Sequence, residues 1–151
     1  MIALKEINED NFDECLELEV DENQKSFVAR NIYSLAQAWL YPANARPFAI
    51  YNDDIMVGFL MLDIDCQCDG SHRVCGLWRL MIDKKYQGQG YGKAAMLMLI
   101  DYVKATYNPE VFRTSIVPGN EAAEKLYANL GFIPNGEYDG DEIVMVMELR
   151  K

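Results

Sequence analysis

Polar and apolar positions along the chain change period several times, and each change predicts an element. "IALKEI" near the start reads as a short strand. Phe12, Cys15, Leu16 and Leu18 recur at helical spacing, with Asn8 or Asp10 as the cap. The same spacing predicts a second helix from about Asp21 to Leu40, with Phe27, Ile32, Leu35, Ala36 and Trp39 as its apolar stripe and Pro42 and Pro47 beyond it. "FAIYNDDIMVGFLMLDID" holds two β-rich runs around "NDD", a hairpin. "DCQCDGSHR" is a loop with an Asp69-Gly70 turn, and "VCGLWRLMID" is a central strand. A helix is expected over Gly90 to Tyr107, with Met96, Leu97, Ile100 and Val103 on one side. "VFRTSIV" is the next strand, broken by Pro118 and Gly119. Asn120 caps a helix over Glu121 to Leu130 that Gly131 terminates. "FIPNGEY" and "EIVMVMEL" form a last pair of strands, joined near Asp139-Gly140.

This order predicts a mixed α/β (α+β) fold. Its sheet is mostly antiparallel and flanked by helices, with one parallel crossover between "GLWRLMI" and "VFRTSIV". With no repeat, low-complexity tract or linker, the 151 residues read as a single domain, 1–151.

Charge sharpens the picture. The net charge of −10 argues against nucleic acid as a partner, because that affinity comes from lysine and arginine on phosphates. It suits a cationic small molecule or plain solubility. No run reaches the ~18 apolar residues of a membrane span. The start lacks a charged-then-apolar leader layout, so a cytoplasmic location is expected. The charge is uneven, however. Arg79, Lys84, Lys85 and Lys93 against Asp83 give +3 between residues 79 and 93, leaving −13 on the other 136 residues. A positive island in an acidic chain points to an anionic ligand.

That island contains "YQGQGYGK". A phosphate loop of the Walker type needs four residues between its first glycine and Gly-Lys, then Ser or Thr; Gly88 to Gly92 leaves three, and Ala94 follows Lys93. The dinucleotide fingerprint G-x-G-x-x-G is also absent, since the spacing is G-x-G-x-G. What remains is Gln87-x-x-Gly90-x-Gly92 between a strand and a long helix. Glycines let backbone N–H groups approach a ligand, and the first turn of a helix offers unpaired N–H groups with partial positive charge. Together they suit a phosphate or pyrophosphate. The competing reading is a structural turn.

This segment after "LMID", followed by "NEAAEKLYANLGF", resembles the GNAT superfamily of N-acetyltransferases, and within it the bacterial spermine/spermidine acetyltransferase branch, through "NQKSFVARN", "YQGQGYGKAAM" and "GFIPNGEYDGDEIVMVMEL". The resemblance implies acetyl-CoA as co-substrate and a primary amine as acceptor, most simply a polyamine. It implies that Leu80, Met81 and Ile82 pair with the pantetheine arm like an added strand. Gln87, Gly88, Gln89, Gly90, Tyr91, Gly92 and Lys93 would hold the pyrophosphate. Asn120 and Lys125 would be further coenzyme contacts, with Asn120 on the pantetheine amide. Tyr127 would be the general acid for the sulfur; a phenol near pKa ~10 is protonated at pH 7. The competing reading makes Tyr127 a core aromatic beside Leu126 and Phe132. Other amines (an aminoglycoside, an amino acid, a protein N-terminus) and a CoA-binding sensor without turnover are the alternative functions.

No base stands out. His72 is the single histidine and lies in a loop. A carboxylate acting through water, or an acidic funnel releasing protons to solvent, is the expected solution. Glu19, Asp21 and Glu22 in "CLELEVDENQ" are the candidates for holding a cationic substrate, against a plain solvated acidic face. Asp63, Asp65 and Asp69 are weaker candidates, and Trp78 and Tyr33 could pack on a cation. Cys66-x-Cys68 with His72 and Cys75 has zinc-type ligands, but C-x-C in a strand sets the sulfurs ~7 Å apart. Unbonded thiols and no metal are the expectation. The last two strands, with Met145 and Met147, read either as a homodimer contact or as core.

Overall fold

The computed structural model describes residues 1–64 and 74–149. The expected hydrophobic runs form one seven-stranded sheet. Its strands are β1 (Ile2–Glu6), β2 (Ala45–Asn52), β3 (Ile55–Asp63), β4 (Val74–Ile82), β5 (Val111–Ile116), β6 (Ile133–Asp139) and β7 (Glu142–Glu148). They lie in the order β1-β2-β3-β4-β5-β7-β6. Every neighbouring pair is antiparallel except β4 and β5, which the crossover makes parallel. The mixed, mostly antiparallel α/β fold is therefore the one expected.

Among the described residues, four helices cover the two faces. They are α1 (Phe12–Glu17), α2 (Asn31–Leu40), α3 (Tyr91–Thr106) and α4 (Glu121–Leu130). One face carries α3 and α4: Phe48, Ile50, Leu60, Leu62 and Leu77 of the sheet pack with Met96, Leu99, Ile100 and Val103. The other face carries α1 and α2: Phe59, Met61 and Met81 pack with Cys15, Leu35 and Ala38. A sheet buried on both sides explains why β3 reads as a continuous apolar run rather than an alternation.

Several local expectations are corrected. The helix expected over 21–40 is a single 3₁₀ turn, Glu22–Gln24, then irregular chain, then α2 from Asn31. Helical spacing ran on because no glycine or proline interrupts residues 21–40, yet the chain from Lys25 to Ala29 lines a cavity and Arg30 is extended. The buried side of α2 is then Asn31 and Ser34, with Leu35 and Ala38 packed beside them. Ile32 and Trp39 of the expected stripe face outward, Trp39 at 84 % exposure. Helix α1 starts after Asn11, not after Asn8 or Asp10; Asn8 Oδ1 instead accepts from the amides of Asp10 and Asn11. In α3, Ala95 and Leu99 replace Leu97 on the buried side, because Leu97 is half exposed. Met145 is buried in the core, so it cannot serve a homodimer contact.

Gly58 shows how tightly the central strands sit. A Cβ there would lie 2.4 Å from the Met81 carbonyl oxygen and 2.8 Å from Ile82 Cδ1. The backbone atom cannot move without breaking the β3–β4 ladder. Gly58→Ala is expected to lower stability by about 2–3 kcal/mol, read from the urea midpoint; an unchanged midpoint would mean the strands separate freely.

Candidate active site

The site begins at a fault in the sheet. Strands β4 and β5 pair only from Val74 to Gly76 against Val111 to Arg113, then diverge. Leu77 to Ile82 are left with no strand on that side. A register shift against β3 adds to this: Leu62 faces Leu77, but Met61 faces Arg79, so Trp78 is an extra residue. Trp78 and Arg79 consequently both turn to the α2 face, where Arg79 Nη2 donates to Gln37 Oε1 at 2.8 Å. Leu77 and Leu80 stay on the α3 face.

The glycine segment follows directly. Asp83, buried, accepts from the Lys85 amide at 3.1 Å and from the Glu19 amide at 3.0 Å. It thereby shapes the one-turn 3₁₀ helix Lys84–Tyr86. Gln87 Nε2 donates to the Ile82 carbonyl and to Gln24 Oε1, both at 2.9 Å, which pins the loop to the end of β4. Gly88 and Gly90 take the left-handed conformation at φ 78° and 83°, where a side chain is strained, and a Cβ at either would meet no protein atom within 4 Å. The first intrahelical bond of α3 runs from Ala94 N to Gly90 O. The amides of Tyr91, Gly92 and Lys93 therefore precede any helical acceptor.

Two cavities meet at the divergence. One, of about 440 Å³, is lined by Leu80, Met81, Ile82, Gln87, Gly88, Gly90, Tyr91, Gly92, Lys93, Asn120 and Tyr127. The other, of about 370 Å³, opens to the α2 face and is lined by Lys25, Trp78, Arg79, Ser115 and Glu142, among others. Phe27, Val28, Leu80, Asn120, Ala123 and Tyr127 line both. Asn120 Oδ1 caps α4 by accepting from Ala123 N at 3.3 Å. Tyr127 packs in the core and also lines both cavities. Its ring packs on Phe132 at 5.6 Å between centroids, and the residue is 6 % exposed at the junction of the cavities. Burial pushes its pKa up to about 12, against a hydrogen bond with Thr114 that pulls it down.

Other expected residues are placed elsewhere. Gln89 and Lys125 are exposed and line neither cavity. Tyr91 lines the larger one, and its hydroxyl accepts from Asn52 Nδ2 at 3.0 Å. Glu19, Asp21 and Glu22 also line neither cavity. Glu19 pairs with Lys84 at 2.5 Å, and that bond holds its carboxyl below the usual range. Glu22 pairs with Lys25 at 2.6 Å. Tyr33 is exposed. Asp65, Asp69, Cys66, Cys68 and His72 lie outside the described residues; Cys75 is buried on β4. Among the described residues no group of His, Cys, Asp or Glu is placed to hold a metal ion, and no helix is long and apolar enough to cross a membrane.

Sequence reasoning missed Val20, Gln24, Phe27 and Val28 as walls of the larger cavity, and Arg79, Ser115 and Glu142 as walls of the smaller. Arg79 did leave a signal: it is a charge inside the apolar run "LWRLM".

Comparison with known proteins identifies the family. The model of the acetyltransferase (GNAT) family matches residues 4–132. A Bacillus subtilis (strain 168) protein named spermine/spermidine N(1)-acetyltransferase is 33 % identical over 154 residues, covering 98 % of this chain and 99 % of that protein. A probable spermine N(1)-acetyltransferase from Bacillus subtilis subsp. natto is 34 % identical with the same coverage. Among solved structures, spermidine N-acetyltransferase from Vibrio cholerae, in complex with CoA and spermine, superposes with a TM-score of 0.73 at 17 % identity, covering 97 % of this chain and 95 % of that one.

Proposed function

Because the chain belongs to the acetyltransferase (GNAT) family, using acetyl-CoA as its acetyl donor, we propose that it acetylates a primary amine of a polyamine such as spermine or spermidine. The single domain would be the whole of residues 1–151. The observation that carries the reading is the meeting of two cavities at Tyr127, where β4 has lost its β5 partner.

The larger cavity fits the donor. Bare backbone at Gly88 and Gly90, the amides of the first turn of α3, and Lys93 would hold the diphosphate. The unpaired edge at Leu80 to Ile82 would take the pantetheine amides as an added strand, and an N–H there would face the thioester oxygen as charge develops. Gln87 acts at one remove, by fixing the loop. The acceptor enters from the α2 face. Its neutral nitrogen attacks the carbonyl carbon and the C–S bond breaks. Tyr127 gives its proton to sulfur and regains one from the nitrogen after attack; the one proton released per acetyl transferred is the one the ammonium form loses beforehand.

Thiol release from acetyl-CoA in the presence of spermine or spermidine tests this. Turnover is expected with both. Turnover restricted to other amines would move the acceptor class, and none with any amine would end the enzymatic reading. A second acceptor class, a singly charged or carboxylate-bearing amine, is favoured by one observation. The acceptor cavity is lined by Lys25 and Arg79 against one carboxylate, Glu142, which is sparse for a polycation. Lysine and its decarboxylated counterpart cadaverine, assayed side by side, separate the two.

A further inference from the structure

A primary amine arrives as an ammonium ion and must lose a proton before it can attack, and no residue has yet been given that task. The titratable groups lining the cavity that Tyr127 shares with the acceptor are Lys25, Arg79, Glu142 and Tyr127 itself. Glu142 is the one carboxylate among these. Glu142 opens β7, where the turn after β6 delivers it beside the divergence. It is half-buried, and one oxygen, Oε1, accepts from Ser115 Oγ at 3.1 Å. The other oxygen has no partner among the described residues.

We propose that Glu142 is the carboxylate that receives the acceptor's ammonium group and removes its proton, with Ser115 orienting it and Arg79 of β4 disfavouring the protonated amine. The inference rests on the reading above, that the acceptor is an amine. In the step, an N–H bond of the ammonium breaks and its electron pair stays on nitrogen. The proton passes to the Glu142 carboxylate, directly or through one water, and from there to solvent.

Arg79 has the placement this needs. Its guanidinium is tied to the Trp78 carbonyl at 3.0 Å and to Gln37 at 2.8 Å. No carboxylate forms an ion pair with it among the described residues, and its buried Nε has no partner. Withdrawal from solvent pushes its pKa down, opposed first by the charge of Glu142 and then by Tyr33 on α2. A half-buried cation lining the cleft raises the cost of a second cation there, which favours the neutral amine. Glu142 is also faced, from an adjoining cavity of about 280 Å³, by Asp63 at the end of β3, Arg113 on β5 and Asp139 on β6. Arg113 and Asp139 approach each other at 3.9 Å, so their charges largely offset.

The test is the pH dependence of kcat/KM for the amine at saturating acetyl-CoA. Glu142→Gln should lower it at least tenfold at pH 7. The deficit should close to within about twofold near pH 11, where the amine, with a pKa of ~10.4 for a lysine-like group, is largely neutral in solution. Ser115→Ala should show the same trend at about threefold, and Ser115→Thr should recover it. Arg79→Gln should move the acid limb to higher pH. CoA affinity by calorimetry should be unchanged in all of them, which also certifies folding. A Glu142→Gln profile parallel to wild type at every pH, or equal to it, overturns the proposal while leaving the acetyltransfer reading intact. A wild-type protein that turns over no amine overturns both.

Discussion

Tyr127→Phe is expected to lower kcat about 100-fold while leaving the affinity for CoA within twofold of wild type. The ring stays, so its packing on Phe132 and its place in the cavity wall are kept. Only the hydroxyl is lost. Among the described residues its partner is Thr114, so the stability cost should be near 1 kcal/mol, visible as a small fall in Tm. Leu80, Ala123 and Leu126, which line the cavity with Tyr127, have no proton to give a leaving thiolate, which is why the effect should fall on kcat and not on binding. The shifted pKa adds a signature. With the folded value raised to about 12, the phenol keeps its proton through the working range, and activity that needs the protonated form is lost only as pH climbs toward that value. The wild-type profile should therefore show no alkaline limb from Tyr127 below about pH 10. A rate that rose with phenolate formation would make Tyr127 a base, and an unchanged kcat in the phenylalanine variant would remove it from the chemistry.

The part of this site that local chemistry builds was legible in the chain. Gly88, Gly90 and Asn120 are short-range solutions to backbone problems: positive φ at the two glycines, and an orphan amide at the start of α4. Their neighbours in sequence are their neighbours in space. The proposed acceptor side was not legible for the opposite reason. Glu142 meets Ser115 across 27 positions, and Arg79 meets Gln37 across 42. Which face Arg79 takes depends on one extra residue in β4, and a single-residue shift exchanges the faces of a strand. The acidic stretch at Glu19 to Glu22 shows the limit of composition. Composition made it conspicuous, yet Lys84 and Lys25 neutralise two of its carboxylates outside the cleft. The expected long helix over 21–40 failed similarly, since its first half is consumed as cavity wall. In each case periodicity reported what a segment could bury, and the sheet's divergence decided what it did.

Gly90→Ala should weaken CoA binding about 30-fold, close to 2 kcal/mol at 25 °C, measured by calorimetry. Gly140→Ala should leave it unchanged. The two glycines are matched controls. Both have positive φ, 83° and 60°, and at neither would a Cβ touch any protein atom within 4 Å. Each alanine meets left-handed strain of about 1 kcal/mol, so the two urea midpoints should fall together. The difference lies in what the empty space is for. At Gly140 it is the outside of the β6–β7 turn. At Gly90 it borders the unpaired amides of Tyr91, Gly92 and Lys93, at the positive end of a 16-residue helix. A methyl group there would stand off the diphosphate from donors whose value falls steeply with distance, without altering the helix or Lys93. The Gly90→Ala affinity should also become less sensitive to salt, because a displaced diphosphate meets less of the local positive field. Equal CoA affinities in the two variants would mean that the open backbone at Gly90 serves only the turn, and that the coenzyme is held elsewhere along β4.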